Sequence, residues 1–178
     1  MSDTALTVVE ISIGPLEAID RADSVARWLL GTGVVVPNAE RHELRQPSAL
    51  RAGPAVRRAA PAWDDTHAAR PNNGVDVIAE RMLFHPIAAY APPRCPACRH
   101  PLDEEHHDLL VRPWLTGREP AVTCTACGAA HLLGDWPGTF QVGELAVRFN
   151  NWPPLAEEFL AELGTRLGRR WRLVHERY

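Results

Sequence analysis

Apolar positions alternate at the start of the chain. In LTVVEISIG, Thr7, Val9, Ile11 and Ile13 share one face, the two-residue repeat of a β-strand. The period then changes. In PLEAIDRADSVARWLLGTG, Ile19, Ala22, Val25, Ala26 and Leu29 recur at helical spacing, and Gly31 and Gly33 supply stop signals. VVVP comes next as a short buried strand ended by Pro37, so residues 1–37 read as strand, helix, strand. The same order returns in residues 139–178. Leu145, Val147 and Phe149 alternate, Pro153 and Pro154 sit where a helix would begin, and Asn151 is a candidate N-cap. Leu155, Phe159, Leu163 and Leu167 then recur every four residues as an apolar stripe. Glu157 and Glu158 in its first turn and Arg166 in its last suit the helix dipole. Gly168 closes that helix, and RWRLVHERY alternates as a final strand.

Two β-α-β units in one chain predict the α+β class, with helices layered on one sheet and a long insertion between the units. The order resembles a ferredoxin-like sandwich, an analogy of fold that implies no activity. Residues 38–73 are rich in Arg, Ala and Pro and have no sustained period. They read as an irregular, solvated connector whose arginines offer, as a second reading, a site for an acidic partner. Asn72 to Gly74 is a turn signal, and within residues 74–93 the segment VDVIAERMLFHP reads as one further strand leading into a cysteine module.

That module, residues 94–138, contains all four cysteines. Cys95 and Cys98 form one C-x-x-C and Cys124 and Cys127 another, with 25 residues between the doublets. Each doublet is a tight turn offering two thiolates, and two such turns complete a tetrahedron around one ion, with Zn–S near about 2.3 Å. The stretch resembles a zinc ribbon over about residues 94–136, which implies one structural Zn²⁺ held by Cys95, Cys98, Cys124 and Cys127; iron is the competing metal. Between the doublets, Thr116 and Gly117 mark a predicted hairpin turn; after the second doublet, AAHLLGDW reads as a third strand before the Pro137-Gly138 turn. His100 and His131 flank the doublets and are candidate hydrogen-bond donors to sulfur, though surface histidines are the simpler reading.

Four thiolates leave no open coordination position for an activated water, so the site is expected to be structural. A zinc deaminase is disfavoured: Arg94 precedes Cys95 where that signature has Pro, and no H-x-E occurs. A nuclease using His106 or His107 in DEEHHDLL, with Asp103, Glu104, Glu105 or Asp108 holding a metal, lacks its further His/Asn pair; an exposed polar loop is the favoured reading. No phosphate loop, dinucleotide fingerprint or nucleophile elbow is present.

Composition adds less. Apolar residues are 46% of 178 and six are Trp, enough for a core, while all 19 basic residues are Arg, a bias read as ancestry before function. Net charge is −3, which gives no general pull toward nucleic acid. No signal peptide or run of roughly 18 apolar residues is visible, so a cytoplasmic, reducing location without a membrane partner is expected. Trp114, Trp136 and Trp152 are expected to seal the cysteine module onto the sheet, with an exposed recognition surface as the alternative. The C-terminal arginines (Arg166, Arg169, Arg170, Arg172, Arg177) read as a solvated face. The leading expectation is a non-enzymatic adaptor that binds another protein. A nucleic-acid-associated ribbon protein is the alternative, and an enzyme with a site away from the cysteines the third.

Overall fold

A computed structural model describes residues 3–41, 47–86, 90–138 and 140–177. Ten strands are present among them: β1 Thr4–Glu10, β2 Val35–Pro37, β3 Leu50–Ala52, β4 Gly74–Ile78, β5 Met82–Phe84, β6 Ala121–Thr123, β7 Ala130–Leu132, β8 Gln141–Gly143, β9 Leu145–Asn150 and β10 Trp171–Arg177. Five helices accompany them: α1 Pro15–Gly31, α2 Val56–Ala59, α3 Asp65–Ala68, α4 Glu104–Thr116 and α5 Glu157–Leu167. The fold is mixed α and β. Six strands form one sheet in the order β10-β1-β9-β4-β3-β2, and each adjacent pair is antiparallel. The pairs β5–β8 and β6–β7 form two small separate sheets.

Both β-α-β units are present, although neither has its strands side by side. β9 and β10, which flank α5, are separated by β1; β1 and β2, which flank α1, are separated by β9, β4 and β3. The stripe expected of α5 is the buried one, with Leu155, Phe159, Leu163 and Leu167 all in the core. Its N-cap is Ala156, not Asn151. In α1 the buried line is Ala18, Ala22, Val25 and Leu29, whereas Ile19 is half exposed.

Successive residues on a strand point to opposite faces, and in β1 both faces are covered. Val8 joins a cluster with α1, α5 and the β9 residues Leu145, Val147 and Phe149. Val9 joins a second cluster with Ala146, Val174, Phe84, Trp114, Val122 and Trp136. One sheet face therefore shares its core with two helices, and the other with the cysteine-bearing module.

Three local expectations need correction. The segment expected to be a solvated connector supplies β3 to the sheet, α2 and α3, and buries Val56, Ala59, Ala60 and Trp63 in the first cluster. Its residues 42–46, like residues 87–89 before the first doublet, lie outside the described part. VDVIAERMLFHP is not one strand: β4 pairs with β9 and β3, the chain breaks at Ala79–Arg81, and β5 pairs with β8 instead. At the break, Arg81 turns its guanidinium to the carbonyls of Trp114, Leu115 and Gly117 and to Glu144. Finally, the stretch between the doublets is helical where a strand and hairpin turn at Thr116–Gly117 were expected. Asp103 caps α4 by accepting from the His106 N–H at 3.0 Å, Glu104 and Glu105 occupy the first turn, and His107, Val111 and Trp114 form its buried line.

Candidate metal centre

The two doublets adopt the same turn. In the first, the Arg99 N–H donates to the Cys95 carbonyl at 2.9 Å and the Cys95 N–H to the His100 carbonyl at 2.8 Å. In the second, Gly128 donates to Cys124 at 2.9 Å and Cys124 to Ala129 at 2.9 Å. The residue after each second cysteine is left-handed, with φ of 64° at Arg99 and 74° at Gly128. That backbone suits Gly and costs a side-chain-bearing residue energy, so the first turn holds Arg99 in a conformation it would not choose alone.

The turns face each other. The Sγ atoms of Cys95 and Cys127 are 3.8 Å apart, those of Cys98 and Cys124 3.6 Å, and all four lie within 4.8 Å of one another. A disulfide would bring sulfurs to about 2.05 Å, and all four cysteines are free. Bonds of about 2.3 Å to a tetrahedral ion place sulfurs about 3.8 Å apart, close to the separations of the Cys95–Cys127 and Cys98–Cys124 pairs. The cluster could therefore hold a metal ion. Among the described residues it is the one group of three or more Cys, His, Asp or Glu side chains with that capacity.

The electrostatics point the same way. Burial raises the Cys124 thiol, but the N–H groups of Cys127 and Ala126 and the thiols of Cys98 and Cys127 donate toward it and bring it down to about 6. The His100 N–H favours the Cys98 thiolate, yet burial and the three neighbouring thiols push Cys98 up to about 12. The Cys124 thiolate forms readily while Cys98 keeps its proton, and a second negative charge at this spacing would be repelled without a cation between them. A divalent ion removes that conflict.

The rest of the module holds the turns against the sheet. Cys95 and Cys124 are buried while Cys98 and Cys127 are exposed, so the cluster is rooted on one side and open to solvent on the other. Trp114 and Trp136 are fully buried beside Cys95 and Cys124 in the second cluster, as expected of sealing residues. Trp152 instead belongs to the first cluster, 4.9 Å from Trp63 and 5.2 Å from Phe149. Gly134 sits at a close approach: a Cβ there would run into Ile11 and the Glu119 carboxylate. Two of the C-terminal arginines clamp the same place. Arg170 bonds Glu119 at 2.7 Å and Asp135 at 2.8 Å, and Arg172 bonds Asp135 at 2.9 Å and the Gly134 carbonyl at 2.8 Å. They are not a solvated face; Glu119 and then Asp135 hold the Arg170 guanidinium above its usual range.

The histidines sort differently from expectation. The groups that approach the Cys98 and Cys124 sulfurs are backbone N–H donors and neighbouring thiols, not the rings of His100 and His131. His106 is exposed on the first turn of α4. His107 is fully buried, not part of a polar loop: its Nδ1 meets the Tyr90 hydroxyl at 3.2 Å and its ring stacks on Phe140 at 4.7 Å. Burial pulls its pKa down to about 4, against the opposing effect of Asp108, so the imidazole is neutral near pH 7. No signal in the sequence separates these two neighbouring histidines except their angular position on a helix that was not anticipated.

Comparison of the chain with family models, curated proteins and solved structures finds no match. None of the helices among the described residues is long and apolar enough to cross a membrane.

Proposed function

We propose that Cys95, Cys98, Cys124 and Cys127 hold one zinc ion in a structural role, and that the chain is a non-enzymatic adaptor which presents the module to another protein. The convergence of the four sulfurs to within 4.8 Å of one another, with two pairs at 3.8 and 3.6 Å, carries this reading. Four sulfur ligands leave no position for substrate or an activated water. The site is a pair of ribbon-type knuckles, with α4 replacing the strand expected between them. The order β10-β1-β9 around α5 supports reading the sheet as a ferredoxin-like platform widened by β4, β3 and β2. Reduced thiols and thiolate ligation suit a reducing, cytoplasmic setting. A protein partner is favoured over nucleic acid because Leu109 and Leu132, both on the module, stand 70% and 39% exposed, and because net charge is −3.

The test is Cys95→Ser in the full chain. Cys95 is fully buried in the second cluster, so the variant is expected to lose its metal and loosen the module, read as increased accessibility of Trp114 and Trp136. The cluster around α1 and α5 shares no cysteine and is expected to persist. Full metal retention with unchanged tryptophan accessibility overturns the assignment.

A further inference from the structure

Away from the cysteines, a cleft of about 290 Å³ opens where β1, β4 and β9 meet the turns before β4 and after β9. Its walls include Asp3, Asn72, Asp76, Arg148, Asn150 and Asn151. Asp76 and Arg148 are direct partners across β4 and β9, which places their Cβ atoms about 5 Å apart. They do not pair with each other. Arg148 reaches the other way, through Nη2 to Glu176 at 3.1 Å and Nε to Thr7 at 3.4 Å, with its guanidinium over the Phe84 ring. Its Nη1 has no partner among the described residues.

The carboxylates in the cleft are held just as firmly, and by neutral groups. Asp76 Oδ2 accepts from the Ser48 hydroxyl at 2.9 Å and the Asn150 amide at 2.8 Å, while Oδ1 has only a long contact of 3.4 Å to the Ala49 N–H. Asp3 accepts from the amides of Asn72 at 2.8 Å and Asn151 at 3.1 Å. Asn72 and Asn151, both left-handed at φ of 56° and 55°, are themselves fixed: Asn151 accepts from the Thr4 N–H at 2.9 Å and donates to the Pro71 carbonyl. Neither Asp3 nor Asp76 has a cationic partner among the described residues. The cleft is thus lined by Arg148, whose Nη1 keeps a free hydrogen-bonding arm, and by the carboxylates of Asp76 and Asp3, which neutral groups stabilise but do not neutralise. Locked side chains with complementary open groups make a preorganised polar site.

We propose that this cleft binds a small zwitterion of the α-amino acid class, its carboxylate on Arg148 Nη1 and its ammonium on Asp76 and Asp3. The two charged groups of such a ligand sit on one carbon, matching opposite charges on adjacent strands. The site is separate from the metal centre and does not rest on the zinc reading.

The experiment exposes the full chain to single free L-α-amino acids at about 1 mM, the weak end of specific binding. Backbone amide shifts of β4 and β9 locate binding, and calorimetry gives affinity. Two controls accompany each ligand: the matching amine without a carboxylate, and the matching acid without an amine. At least one amino acid is expected to shift residues 72–76 and 148–151, with each control weaker by about tenfold or more. Asp76→Asn is expected to weaken binding by a similar factor. Arg148→Lys does likewise; it keeps a cation for the buried Glu176, so the fold is not put at stake, but removes the fork. Metal content, measured in parallel, is expected to stay unchanged in both variants. The proposal is overturned if no amino acid perturbs the cleft, if the plain amine binds as tightly as the amino acid, or if both variants bind like the original chain.

Discussion

His107 is where one side chain does most to set the behaviour of its surroundings. It replaces an apolar residue on the buried line of α4, contacts Phe140 and Tyr90, and leaves Nε2 without a partner among the described residues. A neutral imidazole is tolerated there and an imidazolium is not, which is why its folded pKa lies at about 4, below the usual 6.5. A proton therefore binds the unfolded chain more readily than the folded one. The stability associated with neutral His107 is complete above about pH 6.5 and is lost as pH falls toward 4. Comparing melting temperatures of the original chain and His107→Phe across that window isolates this contribution from acid release of a metal, which affects both. The original chain is expected to lose stability more steeply on acidification; equal slopes contradict the assignment. In sequence, His106 and His107 suggest a polar loop because two adjacent histidines interrupt an apolar stripe. Burial of only one of them is decided by the helix capped at Asp103, and that cap, with Glu104 and Glu105 in the first turn, is the local signal that points to the helix.

At the scale of elements, regular amphipathic repeats were legible and short or mixed ones were not. α5 shows its buried stripe in the sequence because four large apolar residues recur at four-residue spacing on a polar background, and the structure buries all of them. Leu163 is fully buried at the centre of this stripe. Leu163→Ala is expected to cost about 2–5 kcal/mol, the range for a leucine cavity that relaxes only partly, measured by denaturant unfolding. A loss under about 0.5 kcal/mol, typical of a surface site, contradicts the packing described. By contrast, α2 is a four-residue helix and Trp63 a single large anchor, too little for a period to emerge from an Arg, Ala and Pro background. β4 and β5 read as one strand because the apolar pattern continues on both sides of Glu80 and Arg81. What divides them is Arg81 reaching the carbonyl end of α4, a long-range contact that no local pattern encodes.

Across the whole molecule, the six-stranded sheet sits between two differently built clusters, and each candidate site belongs to a different part of it. The cysteine doublets were legible because their ligand atoms are set by local spacing, with only one long-range relation needed to bring the turns together. The cleft of Asp3, Asp76 and Arg148 was not legible. Its groups come from segments distant in the chain, and only the order β1-β9-β4 makes them neighbours. Arg170 and Arg172 looked solvated in sequence for the same reason, since their partners Glu119 and Asp135 lie on the module. These pairs, the close contact at Gly134 and the proposed metal together fix the module against the sheet.

Whether a metal fills the space between the four sulfurs decides more than any other property of this chain. Native mass spectrometry of the purified chain, with elemental analysis of the same sample, measures it directly. One zinc per chain is expected, with loss of the module's protection when a chelator removes it, since structural zinc supplies folding free energy of about 10–16 kcal/mol in peptide systems. A chain that purifies without metal and keeps the module folded, with all four thiols free to react, would contradict the structural-zinc assignment.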